Sequence, residues 1–240
     1  MSAIIFVGPT LPPRDRPRDP ALIWQPPVRQ GELYRAACER PAVIGVIDGY
    51  FEATPTVWHK EILWAMAQGI HVFGAASIGA LRAAELDAFG MRGVGQVYEA
   101  FHRGTLEDDD EVAVLHGPEE LGYPAVTEAM VNIRATVAAA VAGAVIASES
   151  ASALIAAAKA LFYKERTYAA MLRHVPEHER AGFTRWLPRG RVDQKRRDAE
   201  AMIAAIRAEL EAGVVPLRVA YTLAESAAWH AARRRADDVT

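Results

Sequence analysis

The stretch GIHVFGAASIGALRAAEL, Gly69 to Leu86, decides how the chain folds. Its first half, Ile70–Phe73, is a short apolar run after a glycine and reads as a buried strand. Its second half carries apolar residues at helical spacing from Ile78 to about Phe89. Between them stands Ser77, flanked by Ala75, Ala76 and Gly79, at a strand-to-helix corner almost without bulk.

Working toward the N-terminus, two more apolar runs read as strands. Ala3–Val7 is ended by Gly8-Pro9, and Ala42–Asp48 is stopped by Gly49. A short helix, QGELYRAACER, separates them, with Cys38 on it as a buried small hydrophobe. Thr54-Pro55-Thr56 should open a helix through VWHKEILWAMAQ, with a threonine cap and an early proline. The segment from Leu11 to Val28 is rich in proline and arginine and reads as a long surface loop or lid.

Strands alternating with helices, the strands apolar throughout, predict an α/β fold: a mostly parallel sheet with flanking helices. Beyond Thr127 the chain reads as helical, around residues 126–147, 150–174, 191–212 and 217–235. The expected division is an α/β catalytic core over 1–125 and a helical extension over 126–240 packed on it. Ligands of parallel sheets sit beyond the carboxyl ends of the strands. Here those ends carry Gly8–Thr10, Asp48–Phe51 and Gly74–Ser77.

Composition narrows the function classes. The 240 residues are 51% hydrophobic, enough for a sizeable core, and the formal charge of −3 offers no case for nucleic acid or an anionic membrane. One cysteine excludes an internal disulfide and a cysteine-rich metal site. MSAIIFVG reads as a first strand and not a signal peptide, and no apolar run is long enough to span a membrane, so the expectation is a cytoplasmic protein. No metal or cofactor is expected. EDDDE (Glu107–Glu111) reads as a solvated charge run before a divalent-cation site, and GMRGVG (Gly90–Gly95) lacks the preceding strand of a dinucleotide fingerprint.

Two readings of Ser77 compete. A serine before a helix is ordinarily a cap. The same position resembles a nucleophile elbow, where small neighbours admit a substrate carbonyl and the helix's first amides, near Ile78 and Gly79, form an oxyanion hole. A serine nucleophile needs a base. His59, His71, His102 and His116 are candidates, although His71 falls inside a strand and reads as core. Lys60 is the sharper one: only four of 27 basic residues are lysine, and this one lies among Trp58, Ile62, Leu63 and Trp64. Apolar company favours a neutral amine, which arginine could not supply. The plainer reading of Lys60 is a surface lysine paired with Glu61 or a carboxylate one turn away. Asn132, a poor helix former inside a helix, should have a partner for its amide. The basic run Arg189–Arg197 could meet an acidic partner.

Taken together, FVGPTLP (6–12), VIGVIDGYF (43–51), the run 57–86, FGMRGVG (89–95), EDDDEVAVLH (107–116) and EAMVNIRAT (128–136) resemble the TfuA-like family. That resemblance implies a protein working beside a YcaO enzyme in peptide backbone thioamidation. It implies release of sulfide from a thiocarboxylated ThiS-type carrier by a Ser–Lys pair, here Ser77 and Lys60. Arg82, one turn along the helix, would help seat the anionic thiocarboxylate, and Thr10 and Asp48 would orient groups at the neighbouring strand ends. The precursor peptide is a further candidate partner, a homo-oligomer stays open, and the Pro/Arg segment and the basic run near Arg189 are candidate partner surfaces. The alternative is a non-enzymatic adaptor that recruits peptide to YcaO, with Ser77 merely capping a helix.

Overall fold

In a computed structural model, residues 1–50, 52 and 54–238 are described; Phe51, within the expected strand-end segment, lies outside them. The contacts divide the chain into two units: residues 1–107 with 196–240, and residues 108–195. That division differs from the expected boundary at 125, because residues 199–206 pack back on the sheet.

In the first unit five strands, β1 (Ala3–Phe6), β2 (Leu22–Gln25), β3 (Val43–Val46), β4 (His71–Ala75) and β5 (Arg92–Val94), form one sheet in the order β2-β1-β3-β4-β5. Every pairing is parallel, the order of a doubly wound sheet. Successive side chains alternate faces. Ile4, Phe6, Ile44 and Val46 join the core under α1 (Glu32–Cys38), α2 (His59–Ala67) and α3 (Ile78–Leu86). Ala3, Ile5, Val7 and Val43 face the opposite way, against Ala199, Met202, Ile203 and Ile206 of α9 (Gln194–Ala212). Gly45 permits this: a Cβ there would lie 3.0 Å from both Ile206 and Met202. Asp198 of α9 also accepts the Val97 amide at 2.7 Å, at the start of α4 (Gln96–His102).

Several local expectations need correcting. The Pro/Arg segment holds a 3₁₀ turn (Pro13–Asp15) and the edge strand β2, paired only with β1. GMRGVG contains β5. Helix α2 starts at His59, not at Thr54, because Glu61 caps it: Oε1 accepts the Trp58 amide at 3.1 Å. Oε2 of the same carboxylate accepts the Gly31 and Tyr34 amides at 2.9 and 3.2 Å, so one side chain satisfies orphan donors of α1 and α2 together. Cys38 is exposed, and residues 214–225 are not helical; α10 begins only at Ala227 and ends at Asp237.

The second unit packs α5 (Met130–Ala142), α6 (Ser148–Ala160), α7 (Tyr168–Leu172) and α8 (Glu177–Gly190) around Ile133, Val137, Leu154, Met171 and Phe183. Among the described residues no helix is long and apolar enough to cross a membrane.

Candidate active site

Chain leaving β4 at Ala75 must turn into α3 within two residues. The Ser77 amide donates to the Ala75 carbonyl at 2.7 Å across Ala76, whose φ is 65°. Ala76 is therefore the centre of a γ-turn in the left-handed region, a conformation that costs a non-glycine residue about 1–3 kcal/mol. The lack of bulk around it has a packing cause. A Cβ on Gly74 would stand 2.0 Å from the Gly79 carbonyl oxygen, and one on Gly79 would stand 1.8 Å from that of Val46. Both obstacles are backbone, so only glycine lets the first turn of α3 lie against the ends of β3 and β4.

Ser77 occupies the cap position of α3 without acting as a cap: its side chain makes no capping hydrogen bond. It is nearly buried, at 8% exposure. Its carbonyl, by contrast, accepts the Ala80 and Leu81 amides. Of the two expected oxyanion donors the structure leaves one. The Ile78 amide makes no intramolecular hydrogen bond among the described residues, whereas the Gly79 amide is already given to the Ile47 carbonyl at 3.3 Å.

Beside this corner the sheet reverses its winding. The connection from β1 runs outward to β2, and the next returns past β1 to β3, so the carboxyl ends of β1 and β3 form the switch point where such sheets bind ligands. Asp48 sits there, 2% exposed. Its Oδ2 accepts the Gly8 and Thr10 amides at 2.9 Å each, and its Oδ1 accepts the Thr10 hydroxyl at 2.6 Å. The residues on either side of Asp48 meet α3: Ile47 through the Gly79 amide, and Gly49 because a Cβ there would lie 2.9 Å from Ile78 Cγ2. Thr10, Asp48, Ser77, Ile78 and Gly79 thus lie at three adjoining strand ends.

Lys60 and Arg82 do not join them. Lys60 Nζ donates to Ser226 Oγ at 3.2 Å, and no hydrogen bond links it to Ser77. It has no carboxylate partner among the described residues, and the neighbouring Glu61 is given over to backbone amides, so the paired-surface reading of Lys60 is set aside. Ser226, the N-cap of α10, also accepts the Trp229 amide at 3.3 Å. Arg82 is buried and committed: Nε donates to the Val57 carbonyl at 3.2 Å and a terminal nitrogen to Glu85 at 2.6 Å. Burial works against the Glu85 charge, but hydrogen bonds from His59 and Arg82 hold its carboxyl below the ordinary value. An anion seat at Arg82 is therefore not what this arrangement offers, since its charge is already met.

The other candidate bases are engaged elsewhere. His59 pairs with Glu85 at 2.8 Å, His102 with Asp87 at 2.7 Å, and His116 Nδ1 lies 2.8 Å from the Gly117 carbonyl. His71, expected in the core, starts its strand partly exposed and reaches the Val215 carbonyl at 2.8 Å.

In the second unit, the acidic run meets cations of its own chain. Glu111 takes both arms of Arg134 at 2.9 Å, and Asp110 pairs with Lys159 and with the fully buried Arg166. No group of three or more His, Cys, Asp or Glu is placed to hold a metal among the described residues. Asn132 has the partners its position demands: Nδ2 donates to Glu128 and Asp193 at 3.0 and 3.1 Å, and Oδ1 accepts the Lys195 amide at 3.0 Å. The basic run is likewise spoken for in part: Arg191 pairs with Glu128, and Lys195 is buried with Nζ on the Val112 carbonyl at 2.8 Å.

Ser226 is the residue that sequence reasoning passed over. Its signal was local, a serine immediately before Ala-Ala-Trp at a helix start, but the Ala-rich stretch around it concealed the boundary.

A family model described as TfuA-like protein matches residues 48–167, half of the chain. The span opens at Asp48 and takes in Lys60, Ser77 and Arg82, while Thr10 precedes it. No curated protein matches the chain.

Proposed function

This chain belongs to the TfuA-like family, and we propose that it is the sulfide-releasing enzyme of a thioamidation system. Proteins of the family partner with YcaO enzymes in thioamidation. In this reading the chain's substrate is a ThiS-type carrier protein ending in a thiocarboxylate. Ser77 Oγ loses its proton to the Lys60 amine and attacks the carbonyl carbon. The C–S bond breaks as the Lys60 ammonium returns the proton to sulfur, hydrosulfide leaves for the YcaO reaction, and water then hydrolyses the acyl-Ser77 ester to give back the hydroxyl and a carrier carboxylate.

The observation that carries the nucleophile is the γ-turn at Ala76, which presents a serine at a helix start whose hydroxyl caps nothing. The Ile78 amide at the same helix start, without a partner among the described residues, supports a donor for the oxyanion. Asp48 and Thr10 act as positioning residues that hold the β1 and β3 ends beside the corner. For the base, the support is a half-buried lysine whose partner among the described residues is a neutral hydroxyl and not a carboxylate.

One observation favours the adaptor reading instead: Lys60 is bonded to Ser226 and not to Ser77. The two readings separate in a hydrosulfide assay on purified thiocarboxylated carrier without YcaO. Ser77→Ala should stay folded and lose release by orders of magnitude. Lys60→Arg keeps a cation but no usable base and should lose nearly as much. Ser226→Ala should release hydrosulfide at least as fast as the unaltered chain. Folded Ser77→Ala protein working at the original rate would leave the adaptor standing.

A further inference from the structure

Under α10 lies a cavity of about 270 Å³ that the chemistry at Ser77 does not use. Helix α1, the segment leading into α2, and α10 build its walls, all within the sheet unit. Tyr34, Trp229, Ala232 and Ala236 supply apolar surface. Trp229 is 1% exposed, and among the described residues its indole N–H has no acceptor. Thr54, also on the wall, has a buried hydroxyl without a partner among the described residues. An indole nitrogen can only donate, and an unmatched buried donor is costly. An acceptor from outside meets the indole N–H only if a wall side chain moves, since neither of these two atoms is open to a water-sized molecule.

The charge of the lining has the same sense. Arg29, Arg35, Arg233 and Arg235 all border the cavity, against one acid, Glu61. That carboxylate is occupied by the amides of Gly31, Tyr34 and Trp58. Arg233 lies over the rings of Tyr34 and Trp64, 5.6 and 5.8 Å from their centroids, so its planar fork is already ordered. Among the described residues Arg35 has long contacts, 3.8 Å to Glu32 and 3.4 Å to the Ala236 carbonyl, and Arg235 is exposed.

We propose that this cavity is a binding site for a peptide carboxylate flanked by an apolar side chain. Donors and guanidinium groups select an anionic acceptor. The apolar wall asks for a hydrophobic neighbour beside it, which a bare inorganic anion lacks. The volume lies at the lower limit of small-ligand pockets, so the site takes a residue or two and not a larger cofactor. The proposal does not depend on the reaction assigned to Ser77.

The test titrates the full-length chain, by calorimetry and tryptophan fluorescence, with three probes. They are acetyl-Leu-Glu-Leu-amide, its neutral Gln counterpart, and acetyl-Leu-Leu with a free C-terminus. At least one carboxylate probe should bind saturably, and the tighter of the two tells side chain from chain end. The Gln peptide should bind about tenfold more weakly or worse, the cost of losing a charged hydrogen-bond partner. Trp229→Phe leaves space beside Tyr34, Trp58 and Trp64, so its loss of stability is measured alongside its loss of affinity for the carboxylate probe, expected at about tenfold. The double variant Arg29→Gln, Arg235→Gln alters exposed side chains, so it should fold normally and bind less. Equal affinity for the Glu and Gln peptides, no saturable binding at millimolar peptide, or displacement by inorganic phosphate as effective as by peptide would each overturn the proposal.

Discussion

Replacing Asp48 by alanine or by asparagine should have very different consequences, and the difference follows from three hydrogen bonds. Alanine leaves the buried Gly8 and Thr10 amides without their acceptor and the Thr10 hydroxyl without its own. A buried donor stripped of its partner costs about 1–3 kcal/mol, so two amides together amount to about 3–5 kcal/mol. That is a large share of the roughly 5–15 kcal/mol of a typical domain. Asparagine fills the same space. Its carbonyl oxygen can take over both amides, and its NH₂ can donate to Thr10 Oγ1, a hydroxyl able to accept as well as donate. The charge assistance of these bonds is lost, about 1 kcal/mol. Urea denaturation followed by tryptophan fluorescence measures both, since Trp24, Trp58, Trp64 and Trp229 lie in the sheet unit and Trp186 alone in the other. The expected order is original chain, Asn slightly below, Ala lower by a further ~2–4 kcal/mol. If the Ala and Asn variants unfold at the same urea concentration, Asp48 is not what pins the β1 and β3 ends, and the arrangement of strand ends argued at Ser77 loses its support.

Glu61→Gln keeps the size of the side chain but places an NH₂ where a carboxylate oxygen now accepts an amide, so it should cost about 1–3 kcal/mol in the same urea experiment. Asp110 gives a pH dependence with a definite sign. Burial opposes its charge, yet hydrogen bonds from Lys159 and Arg166 leave its carboxyl below the ordinary aspartate value. The folded pKa is depressed, so the stabilisation is complete above the unfolded value and is lost as pH falls through the folded one. Thermal melts of Asp110→Asn between about pH 6 and 2 should therefore lose less stability on acidification than the original chain does; parallel curves would refute the pairing. Arg166→Met should lower the melting temperature more at pH 7 than at acid pH, where Asp110 no longer needs its partner.

What could be read in the chain beforehand was whatever is local. Three buried strands show as apolar runs closed by glycine, since a strand covered on both faces has no polar side to interrupt it. The helix after Ser77 shows by its spacing, and the poor fit of Asn132 to a helix interior already implied partners. Strand β2 was hidden because prolines surround it: they exclude a central strand but not an edge strand with one partner, and nothing local tells the two apart. The three residues of β5 carry no hydrophobic signal at all. Helix α9 announces an apolar stripe without saying that the second face of the sheet is what it covers.

The same limit separates Ser77 from Lys60. That Ser77 stands at a tight corner follows from neighbours in sequence. That its hydroxyl does not cap α3 and that Gly79 gives its amide to Ile47 were decided by the approach of α3 to β3. Arg82 answers the Val57 carbonyl 25 residues away, and Lys60 answers Ser226 at a separation of 166. A hydrogen bond is satisfied by whichever partner the packed chain brings within about 3 Å. Residue type and periodicity can therefore nominate a nucleophile and a base, while only the tertiary structure determines which donor each acceptor meets.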